Sequence, residues 1–228
     1  MLTLKKNRLF LLFTLMLIVV MGVLLGVYDK GELHLLLNSH HDALLDFVMR
    51  YYTLIAEYGV WVVAVCLLFY KSGAAVLVAV SSLLSGAVTQ IIKHQVGAER
   101  PLVWFAHHMP QEQLQLVDGV TMSMYNSFPS GHTTTFFALA MALSFIVTMS
   151  GATEKGRRIS QVLFFFLAAL GGYSRIYLSQ HFASDVLAGC VIGTVVTALL
   201  CMLTEHLSLN ERVWWNWHIS IASVRRGR

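Results

Sequence analysis

Six side chains, Lys93, Arg100, His132, Arg175, His181 and Asp185, have the types and spacing to do chemistry together. They fall in three short stretches: "KHQVGAERP" at 93–101, "PSGH" at 129–132 and "SRIYLSQHFASD" at 174–185. A lysine and two arginines held in place bind oxyanions, and each arginine offers paired N–H donors that match phosphate oxygens. In the second stretch Pro129 sets a turn, and Gly131 lets the backbone come close to a ligand. Ser130 either caps the helix that follows or donates to an oxygen. His132 then stands in the first turn of that helix, where free N–H groups and a partial positive charge favour phosphate. His181 and Asp185 are four apart, so a helix beginning near His181 would place them on one face. Asp185 would accept from one imidazole nitrogen and leave the other unprotonated, as a base or nucleophile requires. Two histidines around one phosphate suggest a division of labour, with one attacking phosphorus and the other protonating the leaving oxygen.

Singly, each of these residues has an ordinary explanation. Basic residues often end membrane helices as interfacial anchors, and a histidine at a helix end is commonly satisfied by water. The joint pattern is what points to a phosphate site.

The composition says which elements must hold these groups. The chain has 228 residues, 57% of them apolar and 12% charged, whereas soluble domains are about 25% charged. This is the profile of a membrane protein. Six segments approach the length of about 20 apolar residues that a spanning helix needs: 9–28, 51–70, 72–92, 132–153, 159–174 (continuing to about Tyr177) and 186–204. Glu57 is the one charge within the second segment. The first segment follows Lys5, Lys6 and Arg8 like a signal peptide, but it is long and no small-x-small cleavage site follows it, so a retained helix is expected. The expected fold is all-α: one domain over residues 1–228, a bundle of six transmembrane helices with the motif-bearing core at about 85–190.

Basic residues fix the expected orientation. With the N-terminus inside, the inner loops and tails hold eleven Lys and Arg, and the outer loops hold five: Lys30, Arg50, Lys93, Arg100 and Arg175. That asymmetry fits the positive-inside rule. Both termini are thus expected in the cytoplasm, and the three motifs at the outer, periplasmic face of the cytoplasmic membrane. The net charge of +4 is explained by anionic headgroups and implies no nucleic-acid partner.

Residues 29–46 connect the first two spans and could form a helix lying in the interface. Residues 93–130 make the longest outer connection and contain all three prolines, Pro101, Pro110 and Pro129. A loop of this length is more often functional than idle. Cys66, Cys190 and Cys201 lie in helical segments without a CxxC pair and read as packing residues. His34, His40, His41, His107 and His108 have irregular spacings and read as loop histidines, not metal ligands. Glu99 reads as solvated or as a partner of Arg100. The five tryptophans read as interface aromatics, with Trp104 near enough to Arg100 to line a headgroup site. The Trp- and Arg-rich tail is expected on the inner headgroups.

Taken in order, the three stretches resemble the signature of the type 2 phosphatidic acid phosphatase superfamily. That signature reads Lys, six residues, Arg-Pro; then Pro-Ser-Gly-His; then Ser-Arg, five residues, His, three residues, Asp. Every fixed position is present here. The resemblance implies that His181 is the nucleophile, forming a phosphohistidine, that Asp185 orients it, and that His132 protonates the leaving group. It implies that Lys93, Arg100 and Arg175 bind the phosphoryl oxygens, with Ser130 and the Gly131 amide beside them. It implies no metal or other cofactor, and a membrane lipid phosphate as substrate, reached sideways from the bilayer. Undecaprenyl diphosphate, phosphatidylglycerol phosphate, phosphatidic acid and lipid A phosphates all fit. A lipid phosphotransferase using the same intermediate stays open, and a non-catalytic transporter or scaffold ranks last.

Overall fold

A computed structural model describes residues 5–220, and every regular element among them is helical. The long helices are α1 (Arg8–Val27), α5 (Ser72–Val96), α7 (Gly131–Met149), α8 (Glu154–Tyr177) and α9 (Ala183–His206). Each is long and apolar enough to cross a membrane. Between α1 and α5 lie α2 (Lys30–Leu37), α3 (Ala43–Tyr52), a 3-10 turn (Thr53–Ala56) and α4 (Gly59–Leu68). Two short helices, α6 (Pro101–His108) and α10 (Val213–Asn216), and a second 3-10 turn (Leu209–Glu211) complete the set. The protein is a multi-pass membrane protein. Its outer faces carry the apolar side chains that lipid requires, among them Leu12, Leu15, Met16, Val19 and Val23 on α1.

The second span differs from expectation. Residues 51–70 do not form one straight helix. The Ala43–Ala56 and Gly59–Leu68 pieces meet at 51°, and Glu57 sits in the break. A carboxylate in an apolar helix lacks solvation, so a break that lets it reach a polar partner relieves the cost. Counting the bent pair as one span gives up to six crossings.

α7 is the central helix. Phe137, Ala138, Met141, Ala142 and Phe145 on it are all essentially inaccessible. α9 lies against it through Gly189 and Gly193, where a Cβ would strike the Ser130 and Thr134 carbonyl oxygens at 2.6 and 2.3 Å. Small residues let two membrane helices approach to backbone contact, where dispersion replaces the hydrophobic drive that lipid cannot supply. α1 packs on α8 and α9. Its N-cap Asn7 is buried, and its side-chain oxygen accepts from Ser144 (2.7 Å) and Thr148 (3.1 Å) of α7. Gln161 adds a second tie, accepting from Leu9 N and donating to Lys6 O.

Other boundaries moved for local reasons. α5 runs past Ile92 until Gly97, whose φ of +59° ends it with an N–H bond to the Lys93 carbonyl. α8 starts at Glu154, capped by the Thr153 hydroxyl, which accepts from Gly156 N. α2 buries one face in the bundle, at Leu33 and His34. His34 is therefore not a loop histidine. Its ring packs against Phe105 and Phe182, and its Nε2 lies 3.2 Å from Ser179 Oγ. Trp215 is not an interface aromatic either. It is buried over Gly73, where any Cβ would overlap its ring. Of the basic tail, Arg225, Arg226 and Arg228 lie outside the described residues.

Candidate active site

The three motifs meet at one end of the bundle because backbone hydrogen bonds lace them together. Ser130 N donates to Asp185 O (2.9 Å), joining the second motif to the third. Arg100 N donates to Met124 O and Ser127 N to Ala98 O (both 2.9 Å), joining the first motif to the approach of the second. His181 N donates to Arg175 O (3.1 Å) across the turn that ends α8. Ser179, in the left-handed region at φ +48°, reverses the chain there. The five-residue spacing between Arg175 and His181 is thus the length of one helix-terminating turn that returns the histidine beside the arginine.

His181 does not share a helical face with Asp185, since α9 begins only at Ala183. The pair meets because Asp185, in the first turn of α9, folds back over the preceding loop. Its Oδ2 accepts from Phe182 N (2.9 Å) and from Ser127 Oγ (2.5 Å), and Ser184 Oγ donates to Oδ1 (3.2 Å). His181 Nδ1 faces this carboxylate at 3.5 Å and lies equally far from Ser127 Oγ. Nε2 is then the nitrogen turned elsewhere. Both residues are buried. Burial pulls the His181 imidazole well below its ordinary range, the Arg175 and Arg100 charges add to that, and the Asp185 carboxylate opposes it. Burial and the neighbouring guanidinium charges both favour the neutral ring.

The cations converge on the same space. Lys93 Nζ donates to Asn126 O (2.9 Å), and Arg100 Nε donates to Tyr125 O (3.0 Å). Arg100 also donates through one terminal nitrogen to Gln180 Oε1 (2.8 Å). Arg175 is buried and donates to the Thr53 hydroxyl, while its Nε has no partner among the described residues. A buried donor without an acceptor costs about 1–3 kcal/mol, which an oxyanion there would offset. Ser130 caps α7: its Oγ accepts from Thr133 N (3.4 Å) and from Thr133 Oγ1 (2.9 Å). Gly131 leaves open space before it, since a Cβ there would meet nothing nearer than Thr89 Cγ2 at 4.0 Å. His132 is within electrostatic reach of Arg175, His181, Arg100 and Lys93.

Three partners of these groups were not singled out from the sequence. Glu57 Oε1 lies 2.9 Å from His132 Nε2 across the break in the second span. Its signal was present, as the one acid in an apolar segment. Ser127 and Thr53 carried none, because each reaches its partner across a long stretch of chain. Trp104 does not line the mouth; it stacks on His108 and packs edge-on against Phe105 and Phe182. Glu99 pairs with His107 at 2.9 Å, not with Arg100. Among the described residues, no group of three His, Cys, Asp or Glu side chains could hold a metal ion.

A cavity of about 420 Å³ opens from this constellation, lined by His132, Glu57, Arg100, Arg175, Thr53 and Arg50 among others. His181 and Asp185 do not line it; both are buried. The larger outline is shared with known proteins. A sequence model of the PAP2 superfamily matches residues 74–207. Undecaprenyl-diphosphatase BcrC of Bacillus subtilis is 30% identical over 176 residues, 74% of this chain and 80% of that one. Lipid phosphate phosphatase 1 of Arabidopsis thaliana is 30% identical over 159 residues, 64% of this chain, which spans only 49% of that relative's length. The crystal structure of the first transmembrane PAP2 type phosphatidylglycerolphosphate phosphatase from Bacillus subtilis superposes with a TM-score of 0.63 at 19% identity. That superposition covers 89% of this chain and 96% of the other, a likeness of fold.

Proposed function

We propose that this chain, which belongs to the PAP2 superfamily, is a lipid phosphatase that works through a phosphohistidine without a metal. The observation that carries this reading is the buried His181, backed by the Asp185 carboxylate and bonded through its backbone N–H to the Arg175 carbonyl, with Arg100 and Arg175 lining the adjacent cavity. His181 Nε2 attacks phosphorus, and the bond to the leaving oxygen breaks on the opposite side. His132 delivers a proton to that oxygen. Lys93, Arg100 and Arg175, with the Ser130 hydroxyl and the Gly131 amide, hold the three equatorial oxygens whose charge grows in the transition state. Water then attacks the phosphohistidine, with His132 taking a proton from it, and inorganic phosphate leaves. The lipid lies in the bilayer beside the cavity, and the site faces the outer side of the cytoplasmic membrane.

The test is phosphate release by purified protein from a panel of phosphatidic acid, phosphatidylglycerol phosphate, a prenyl diphosphate and lipid A. His181→Ala should reduce turnover by about three orders of magnitude or more. Activity surviving that change would end the mechanism. A donor lipid labelled in its phosphate should yield free phosphate; label on an acceptor lipid would mean transfer instead. The pH dependence has a definite sign. Because His181 is held below its usual value of about 6.5, the neutral nucleophile persists as pH falls through that value. The acid limb of kcat/KM should therefore lie below it.

A further inference from the structure

The cavity holds one cation that none of the three motifs supplies. Arg50 lies in the last turn of α3, two residues before its end at Tyr52. One of its terminal nitrogens donates to Asp118 O at 2.9 Å, and its guanidinium carbon lies 5.5 Å from the centre of the Tyr51 ring. The loop crosses it at Gly119, whose φ is +73°; a Cβ at that position would meet the guanidinium at 2.4–2.6 Å. Glycine is thus required there twice, for the backbone conformation and for the close approach. The same loop is tied to the motif cations, because Gln180 donates to Thr121 O and accepts from Arg100. The 93–130 connection therefore clamps Arg50 in place at the wall of the cavity.

The direction of the reaction gives that position a meaning. In an in-line displacement the leaving group departs opposite the nucleophile. His181 is absent from the cavity lining, whereas His132, the proposed acid for the leaving oxygen, lines it together with Glu57. What lines the cavity is therefore what the leaving group meets. A neutral glycerol hydroxyl needs no guanidinium there, whereas an anionic leaving group does.

Building on the phosphatase reading, we propose that Arg50 is a specificity-determining residue that binds a second phosphate on the leaving side of the scissile one. The substrate class is a lipid with two phosphates, either joined as in a prenyl diphosphate or separated as in phosphatidylglycerol phosphate. With a diphosphate, the His181–phosphorus bond forms as the bond from phosphorus to the bridging oxygen breaks. The electron pair stays on that oxygen, now a terminal oxygen of the lipid monophosphate; it takes the proton from His132, and Arg50 balances the remaining charge of that phosphate. Water releases the transferred phosphate in the second step.

Arg50→Ala and Arg50→Lys test this with two readouts. The ratio of kcat/KM for the two-phosphate lipids to that for phosphatidic acid should fall at least tenfold in Arg50→Ala and recover in part in Arg50→Lys. The lipid that loses most identifies whether the two phosphates are joined or separated. An unchanged ratio overturns the proposal, including the case in which all lipids lose equally. The second readout needs no turnover. Thermal stabilisation of the purified protein by inorganic diphosphate should require a tenfold higher concentration in Arg50→Ala than in the parent, with the orthophosphate requirement moving less than threefold. Equal shifts for both anions overturn the subsite. If the parent releases phosphate from no lipid, the phosphatase reading fails, while the anion-binding comparison still decides on Arg50.

Discussion

At the residue scale, the pairing of His132 with Glu57 carries the least expected consequence. The motif supplies a histidine, and the proton transfer proposed for it also needs a fixed orientation. Glu57 gives it one through the 2.9 Å contact to Nε2. It is a positioning residue, so its loss should act on turnover and not on binding. Glu57→Gln should lower kcat by about a hundredfold with KM nearly unchanged, and Glu57→Asp should recover part of the loss. Steady-state kinetics on a short-chain lipid phosphate would check this, and a rise in KM with constant kcat would contradict it. The motif residues were legible because their spacing is local: each stretch encodes a turn and the first residues of a helix. Glu57, Ser127 and Thr53 were not, because their partners are fixed by how helices pack, and packing leaves no spacing in the sequence. The acid in an apolar run announced a function without naming its partner.

At the scale of elements, two glycines illustrate different needs. Gly193 of α9 faces the Thr134 carbonyl and Ala138 N of α7, with no room for a methyl group. Gly131 at the start of α7 faces open space. Gly193→Ala should push the two helices apart and cost about 1–3 kcal/mol of stability. Activity should fall with it, because the Ser130 N to Asp185 O bond sets the register between them. Gly131→Ala should instead keep the fold, with helix propensity gaining about 0.5–1 kcal/mol, while phosphate release drops at least tenfold as the methyl group crowds the oxyanion. Thermal unfolding in detergent beside phosphate release separates the two cases, and parallel losses in both variants would reject the distinction. The apolar spans themselves were legible from length and composition. Their breaks and ends were not, since the bend at Glu57 and the turn at Ser179 are set by polar partners on other helices. The burial of one face of α2 has the same origin, as Leu33 packs with Ile176, Ala183 and Val186, and His34 with Phe105 and Phe182.

At the scale of the whole molecule, charge has different uses at the two ends. At the end away from the motifs, Lys5, Lys6, Arg8, Arg157 and Arg158 surround one shallow pocket with Glu154. Most of these charges are spent on nothing within the protein, which is what a surface resting on anionic headgroups requires. At the motif end, by contrast, Lys93, Arg100 and Arg175 are each tied to a protein oxygen, and the two arginines line the cavity. On the proposed function these three serve the chemistry, which makes the topological bias steeper than a count of all basic residues implies. The proposed topology puts the cavity on the outer side of the membrane. Single cysteines test this in a background with Cys66, Cys190 and Cys201 replaced. Gln113→Cys lies in the connection near the mouth, and Lys155→Cys lies in the turn at the opposite end; both positions are exposed. A membrane-impermeant maleimide applied to intact cells should label Gln113→Cys and leave Lys155→Cys unlabelled until the membrane is opened. The reverse pattern would put the phosphate cavity in the cytoplasm, and the lipids worth assaying would become those of the inner leaflet.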